Sequence, residues 1–273
     1  MRVRKMILTW QLAFLIAASL AASPAHAQPA RGFEPRVGQP GKDVVWVPTP
    51  DELVEKMLNL GNVTASDYLI DLGSGDGRTV IMAAKRGARA HGIEYNPEMV
   101  ELSKRNAAAA RVSERATFAK EDLFESDFSK ASVITMFLLP QINLKLRPKI
   151  LDLKPGTRIV SNTFTMGEWH EDGSDTLDSE CINWCTALLW IVPAKVDGTW
   201  KLPQGELTLQ QSYQFITGTL KSGNEVTPIA NGKLKGDQIL FNAAGVVYVG
   251  QVSGNKMEGT LSSGGTWTAT QAK

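Results

Sequence analysis

The octapeptide Asp71–Arg78, DLGSGDGR, sets Gly73, Gly75 and Gly77 two apart, with Asp71 in front of them and Asp76 and Arg78 at their far end. A short apolar run, Tyr68–Ile70, leads into it. Glycines at the point where a strand turns into a helix admit positive φ and keep side chains out of the space above the strand end. The first turn of the helix then offers unpaired N–H groups to a ligand. With G-x-G-x-x-G spacing those groups would face a pyrophosphate. Here the pattern is D-x-G-x-G-x-G, and the strand-borne acid disfavours a diphosphate and favours a cationic or amino-bearing ligand.

Two further acids fall where they can join this loop. Glu94 ends ARAHGIEY, 21 residues after Gly73, and an acid at that place can accept both ribose hydroxyls of an adenosine. Asp122 ends ATFAKED; it can bond an adenine amino group or cap the turn LFES that follows. In a parallel sheet all three strand ends open on one edge. Together they point to a nucleoside-type ligand. Arg78 reads either as a solvent-facing first-turn residue or as a ligand contact.

The elements that must position these residues alternate in period. VPTPDELVEKMLNLGNV reads as a helix with Thr49 as N-cap, Pro50 in its first position and Glu52 closing a capping box; Leu53, Met57, Leu58 and Leu60 line one side and Gly61 ends it. Strand 68–73, helix 77–87, strand 88–95, an Asn96-capped helix opening at Pro97, strand 116–122 and the apolar strand 131–139 follow. QINLKLRPKILDL is helical, with a kink or break expected at Pro148. TRIVSNTF is a fifth strand and CTALLWIVPAKV a late strand added to the same sheet. This alternation predicts an α/β fold: a Rossmann-like, mainly parallel sheet with helices on both faces. On the strand reading, Cys181 and Cys185 are about 13 Å apart, too far for a disulfide, and one or both are expected to be buried small apolar residues.

Beyond Val196 the character changes. Residues 197–273 hold half of the chain's 24 glycines and show no helical period. GKLKGDQI (232–239) and GQVSGNKM (250–257) repeat G-x-apolar-x-G-x-x-apolar, and GTLKSGNE (218–225) is a looser copy. The expectation is a small antiparallel β sheet or barrel of hairpins with Trp200, Tyr213, Phe215, Phe241, Tyr248 and Trp267 in its core. The expected organisation is a signal peptide over 1–27, a flexible leader over 28–43, an α/β domain over 44–195 and a β-rich domain over 196–273.

The first segment, MRVRKMILTWQLAFLIAASLAASPAHA, has a basic start, a short apolar core and an Ala-His-Ala site, the three parts of a secretory signal. It predicts a periplasmic or secreted protein; a membrane anchor, or a cytoplasmic protein with a mis-assigned start, are the alternatives. Removing its three basic residues from the 29 in the chain leaves 26 against 28 acidic side chains, a formal charge of −2. A weakly acidic chain gives no support for nucleic acid as main partner. His91 and His170 have no Cys or His at ligand spacing, so no metal is expected.

The stretch Val47–Trp169 resembles a class I S-adenosylmethionine-dependent methyltransferase. YLIDLGSGDGRTVIMAAKRGARAHGIEYNPEMVELSKRN is similar to that family's first two motifs. The resemblance implies S-adenosyl-L-methionine as cofactor. Asp71, Gly73, Ser74, Gly75 and Gly77 would wrap its methionine part, Glu94 its ribose, and Asp122 and Tyr95 its adenine. VPTPDELVEKML and FLLPQINLKLRPKILDLKPGTRIVSNTFTMGEW look like the small lysine methyltransferase family, which includes enzymes that modify an ATP-synthase c subunit and an adenine-nucleotide translocator. That likeness implies a protein lysine as acceptor, with Thr49, Leu139, Pro140 and Asn143 around the transfer site, Leu139 also touching cofactor, and Thr49 and Asn143 as candidate catalytic residues. An NPPY-type segment is absent, FLLP standing there instead, which disfavours adenine-N6 methylation. Transfer to an amine requires alignment and a neutral lysine rather than covalent help, and no general base stands out. The alternatives are a non-catalytic periplasmic nucleoside-binding or structural module, and a small-molecule or RNA methyltransferase. The β-rich segment would serve as an envelope-docking element or a stabilising appendage.

Overall fold

The structure is a computed structural model that describes residues 33–178 and 181–272. Apolar runs too short for helices fold as β1 (Tyr68–Leu72), β2 (Arg89–Glu94), β3 (Ala116–Lys120), β4 (Val133–Met136) and β5 (Arg158–Asn162). They pair in parallel in the order β3-β2-β1-β4-β5. Strands β1, β4 and β5 are buried almost throughout, which explains their unbroken apolar character. The order reverses beside β1. Open sheets of this kind bind ligands at that crevice, outside the carboxyl ends of the strands.

The helices α1 (Asp51–Leu60), α2 (Arg78–Lys85), α3 (Pro97–Ala109) and α4 (Pro140–Leu151) cover this sheet. The α3 start matches its sequence signal: Pro97 opens the helix and the Asn96 side chain accepts a 2.9 Å bond from the Glu98 N–H. Replacing Asn96 by alanine is expected to cost about 1 kcal/mol, lowering the melting temperature by roughly 2–4 °C in a thermal scan. An unchanged melting temperature would show that the cap contributes nothing. One helix expectation is corrected, and of the kink or break expected at Pro148 the break does not occur. Pro50, not Thr49, is the N-cap of α1, and no side chain caps it, so the Thr49–Glu52 capping box does not form. Pro148 lies inside α4 without ending it; it sits one turn from the helix end, where one lost backbone bond leaves the rest intact.

Beyond β5 the sheet gains two antiparallel strands, β6 (Gly173–Thr176) and β7 (Thr186–Ile191), with β7 between β5 and β6. The late strand was legible in its apolar run, whereas β6, GSDT, carries no β signal. The strand starts at Thr186, so CINWC is not extended. Cys181 and Cys185 stand 5.9 Å apart at Cα and form a disulfide. The expected separation and burial are corrected because both rested on strand geometry.

The C-terminal strands β8 (Gly198–Leu202), β9 (Gly205–Ser212), β10 (Phe215–Ser222), β11 (Glu225–Pro228), β12 (Ala230–Lys235), β13 (Gln238–Ala243), β14 (Val246–Ser253), β15 (Lys256–Leu261) and β16 (Thr266–Gln271) are all antiparallel. The run β10-β12-β13-β14-β15-β16-β8-β9 closes through β9–β10 pairing into a barrel, with β11 added beside β10. Closure removes the free edges that an isolated sheet would expose. The three glycine repeats are its hairpins β10–β11, β12–β13 and β14–β15. Trp200, Phe241, Tyr248 and Trp267 fill the interior. Tyr213 and Phe215 do not: Phe215 is exposed, and Tyr213 stacks on Trp169 of the α/β part at 6.1 Å. Beside it the Gln214 amide donates to the His170 carbonyl at 2.8 Å, so the barrel braces the segment that follows β5.

Candidate active site

The glycine loop joins β1 to α2, and three neighbours hold it in shape. Ser103 of α3 donates to the Gly75 carbonyl at 2.8 Å, and the Asn106 amide donates to the Asp76 carbonyl at 2.9 Å. The third is Glu94. Its Oε2 accepts the Gly75 N–H at 3.0 Å and its Oε1 accepts the Asn96 N–H at 2.9 Å. Gly75 has φ +54, and a Cβ there would come within 2.7 Å of the Trp46 indole nitrogen. Only glycine admits that ring. Gly77, with φ +83, packs on Phe118 and Ser103 as the N-cap of α2 and does not line the cavity.

One cavity opens above these strand ends, lined by Asp71, Gly73, Ser74, Gly75, Glu94, Tyr95, Asp122, Leu139 and Thr49 among others. The structure therefore brings together every expected cofactor residue except Gly77. Asp71 is buried on β1 and accepts a 2.7 Å bond from the Thr135 hydroxyl. Burial pushes its carboxyl up to about 7, the Glu94 and Asp76 carboxylates add to the rise, and the Thr135 bond opposes it. The Ser74 hydroxyl is buried beside the cavity without a partner among the described residues. An orphaned hydroxyl, a carboxylate reluctant to ionise alone and a side-chain-free bend suit a ligand with a cationic, hydrogen-bonding end.

The far end of the cavity differs from expectation. Asp122 caps its own turn by accepting the Phe124 N–H at 3.0 Å, and it also pairs with Lys42. The Lys42 bond holds this carboxyl below the usual carboxylate range. The Lys42 ammonium stands 4.9 Å from the centre of the Tyr95 ring. Lys42 belongs to the segment expected to be a flexible leader. Its described part is ordered across the cavity: the Gly38 N–H donates to the Trp46 carbonyl, the Trp46 N–H donates to the Gln39 carbonyl, and Pro40 bridges Val45. Within residues 33–43 of that expected leader, Gly38, Gln39 and Pro40 make these backbone bonds. Residues 28–32 and the leader peptide over 1–27 lie outside the described residues. Arg78 lines the cavity, pairing with Asp76 at 2.7 Å and donating to the Thr49 carbonyl at 3.0 Å, so it ties this segment to the glycine loop.

The other end holds the candidate transfer residues. Freed from capping, the Thr49 hydroxyl accepts a 3.2 Å bond from the buried Asn162 amide at the end of β5. Phe137, Leu138, Leu139, Ile142, Phe164 and Trp184 line the same cavity. Pro140 and Asn143 stand outside the lining. Asn143 is fully buried and its amide donates to the carbonyls of Phe164 and Thr165, so it positions a loop rather than facing the cavity. Sequence reasoning missed Trp46, Lys42, Asn162, Phe137, Phe164 and Trp184. Asn162 and Phe164, just past an apolar strand in SNTF, carried a usable signal; Trp46 and Lys42 carried none.

Comparison with known proteins decides what this constellation is. The ANTKMT methyltransferase domain profile matches residues 71–173. A protein-lysine N-methyltransferase from Saccharolobus islandicus is 43% identical over 130 residues, covering 46% of this chain and 81% of that one. The chain belongs to this family of class I S-adenosylmethionine-dependent methyltransferases. A lysine N-methyltransferase of the ATP synthase c subunit from Mus musculus is 36% identical over 128 residues, and the methyltransferase spans about half of its length, 51%. A crystal structure described as an RNA methyltransferase from Salinibacter ruber in complex with S-adenosyl-L-homocysteine superposes with a TM-score of 0.52 at 44% identity, covering 55% of this chain and 96% of that one. S-Adenosyl-L-methionine is the cofactor.

The expectation of a periplasmic or secreted protein does not survive these comparisons. The relatives are enzymes named for lysines of the ATP synthase c subunit and of the adenine nucleotide translocase, and none is named as an exported protein. Among the described residues no helix is long and apolar enough to cross a membrane. Nor do three or more His, Cys, Asp or Glu side chains gather to hold a metal there. The profile match ends at residue 173, before the barrel begins at Gly198, and nothing in it supports envelope docking.

Proposed function

We propose that this methyltransferase acts on the ε-amine of a protein lysine. The observation that carries the reading is the apolar part of the lining of the cavity that Thr49 also lines. Met57, Phe137, Leu139, Ile142, Phe164 and Trp184 make it apolar and aromatic, as an alkyl chain ending in an amine requires. The identity to the archaeal protein-lysine enzyme supports the same acceptor.

In this reading Asp71, Gly73, Ser74 and Gly75 hold the methionine end of the cofactor, Glu94 the ribose, and Tyr95 with Leu123 the adenine. Asp122 and Lys42 stand at that end as an ion pair. When bound, S-adenosylmethionine supplies an already activated methyl group. The protein excludes water from the acceptor channel, which favours a neutral lysine, and aligns the amine. Thr49 is a polar residue of that lining, and its hydroxyl, held by the Asn162 amide, fits an orienting role. Replacing Thr49 by valine leaves the Asn162 amide unpaired. The expected result is a kcat reduced about tenfold with S-adenosylhomocysteine affinity nearly unchanged, read from steady-state transfer alongside calorimetry. Equal losses in both would place Thr49 in cofactor binding instead.

The likeness to the Salinibacter ruber protein, described as an RNA methyltransferase, favours a second reading, transfer to RNA. Incubation with S-adenosylmethionine and either lysine peptides or RNA oligonucleotides, followed by mass spectrometry, separates the two. A gain of one or more methyl masses on lysine, blocked by prior acetylation of the amine, supports the first. Label on RNA alone overturns it.

A further inference from the structure

Taking the lysine reading as its base, we infer that Phe137, Phe164 and Trp184 form a cation-recognising aromatic wall for the acceptor. Trp184 is its specificity-determining residue, and the Cys181–Cys185 disulfide holds it in place.

The three rings come from three neighbouring strands: Phe137 follows β4, Phe164 follows β5 and Trp184 precedes β7. Phe137 is the hub. Its centre is 5.8 Å from that of Phe164 in a stacked arrangement and 5.8 Å from that of Trp184 edge-on. All three line the cavity. Two of them are fixed by the fold. The Phe164 carbonyl accepts from the Ser161 hydroxyl at 2.8 Å and from the Asn143 amide at 3.2 Å, while Phe137 leaves a buried strand.

Trp184 has no such support. It is 40% exposed, belongs to no helix or strand, and adopts φ +57, a left-handed conformation unfavourable for a bulky residue. Disulfide closure of the five residues Cys181–Cys185 restricts the conformations open to it and keeps the indole beside Phe137. A large apolar ring held in a strained loop at a cavity mouth is the kind of feature that function retains.

The charges sort the cavity into two ends. Its carboxylates, Asp71, Asp76, Glu94, Glu121, Asp122 and Asp43, lie in the glycine loop, at the ends of β2 and β3, and in the N-terminal segment. Met57, Leu139, Ile142 and Thr49, which share the lining with the three rings, carry no carboxylate, and the guanidinium that donates to the Thr49 carbonyl, Arg78, is paired with Asp76 of the glycine loop. An ammonium arriving here meets aromatic faces rather than an anion. Indole is the strongest of the three partners for such a cation. A neutral amine reacts at each transfer, whereas the trimethyl-lysine ammonium has no proton to lose and holds its water less tightly, so the wall holds the fully methylated chain as an intact cation.

The test uses the full chain saturated with S-adenosylhomocysteine. Two probes are titrated by calorimetry: Nα-acetyl-trimethyl-lysine amide, and its neutral isostere with carbon in place of the ammonium nitrogen. The cation is expected to bind about tenfold more tightly than the isostere. Trp184→Ala should abolish this preference, Trp184→Phe should keep part of it, and the Cys181→Ser/Cys185→Ser pair should weaken it. None of these variants should change S-adenosylhomocysteine affinity, which also shows that each is folded. Equal binding of the two probes, a preference that persists in Trp184→Ala, or competition by uridine monophosphate without cation binding overturns the wall. Methyl transfer to lysine peptides is followed in parallel. Transfer without cation preference sinks the wall and keeps the lysine acceptor, whereas cation preference without transfer keeps the wall and sinks the acceptor.

Discussion

Replacing Glu94 by alanine is expected to reduce S-adenosylhomocysteine affinity by about 100- to 1,000-fold while the protein stays folded. The carboxylate does two things at once. It accepts the Gly75 and Asn96 N–H groups, fixing the glycine loop against the end of β2. It also stands in the cavity lining, where its remaining acceptor capacity faces the ligand. Hydrogen bonds to a charged group contribute about 1.5–3 kcal/mol each, so losing two ligand bonds and the loop support reaches this range. Calorimetry measures the affinity, and a thermal scan without ligand tests the fold. Glutamine at this position should be intermediate, because its oxygen can keep one N–H bond while its amide opposes the other. An affinity within threefold of the parent would remove Glu94 from the site.

A second large effect follows from Asp71. Its carboxyl titrates near 7 in the folded chain, against an ordinary value of 3.8. A cationic ligand end is held by the ionised form. Below pH 7 the proton must first leave, so affinity approaches a tenfold fall per pH unit at lower pH and levels off above 7, giving a loss of about 50-fold between pH 7 and pH 5. Calorimetry in buffers of different ionisation heat should detect one proton released on binding at about pH 6. The same shift acts oppositely on the unliganded fold. Unfolded, the aspartate releases its proton near pH 4; folded, it retains it until about 7. Between those values the folded state binds more protons, so stability without ligand declines as pH rises from about 4 to 7 and is constant above. Asp71→Asn should flatten both profiles. A binding curve flat from pH 5 to 8 in the parent protein would contradict the role.

The cofactor end was legible because local constraints are strong there. A bend that must turn a buried strand into a helix tolerates little but glycine, and acids at strand tips are placed by period alone. Asp71, Glu94 and Asp122 met at one cavity for that reason. The hairpins of the barrel were legible in the same way, through alternation broken by glycine. Parts set by long-range packing were hidden. Thr49 looked like an N-cap because Thr-Pro-x-Glu is a local signal, yet an amide 113 residues away engages its hydroxyl. Trp46 lies in a Pro- and Gly-rich stretch that lacks any period, and only the space above Gly75 explains its place. Tyr213 looked like barrel core by alternation, but a tryptophan in the neighbouring layer claimed it. The disulfide was missed because a strand was extended five residues too far.

The most direct test of the account is a crystal structure of the full chain with S-adenosylhomocysteine. The account predicts one molecule between the glycine loop and the ends of β2 and β3. Its ribose hydroxyls should bond the Glu94 carboxylate, its amino-acid end should lie against Asp71–Gly75, and its sulfur should face Thr49 and the aromatic wall. A ligand bound elsewhere, or one lying in this cavity with its ribose away from Glu94 and its sulfur away from Thr49, would contradict it.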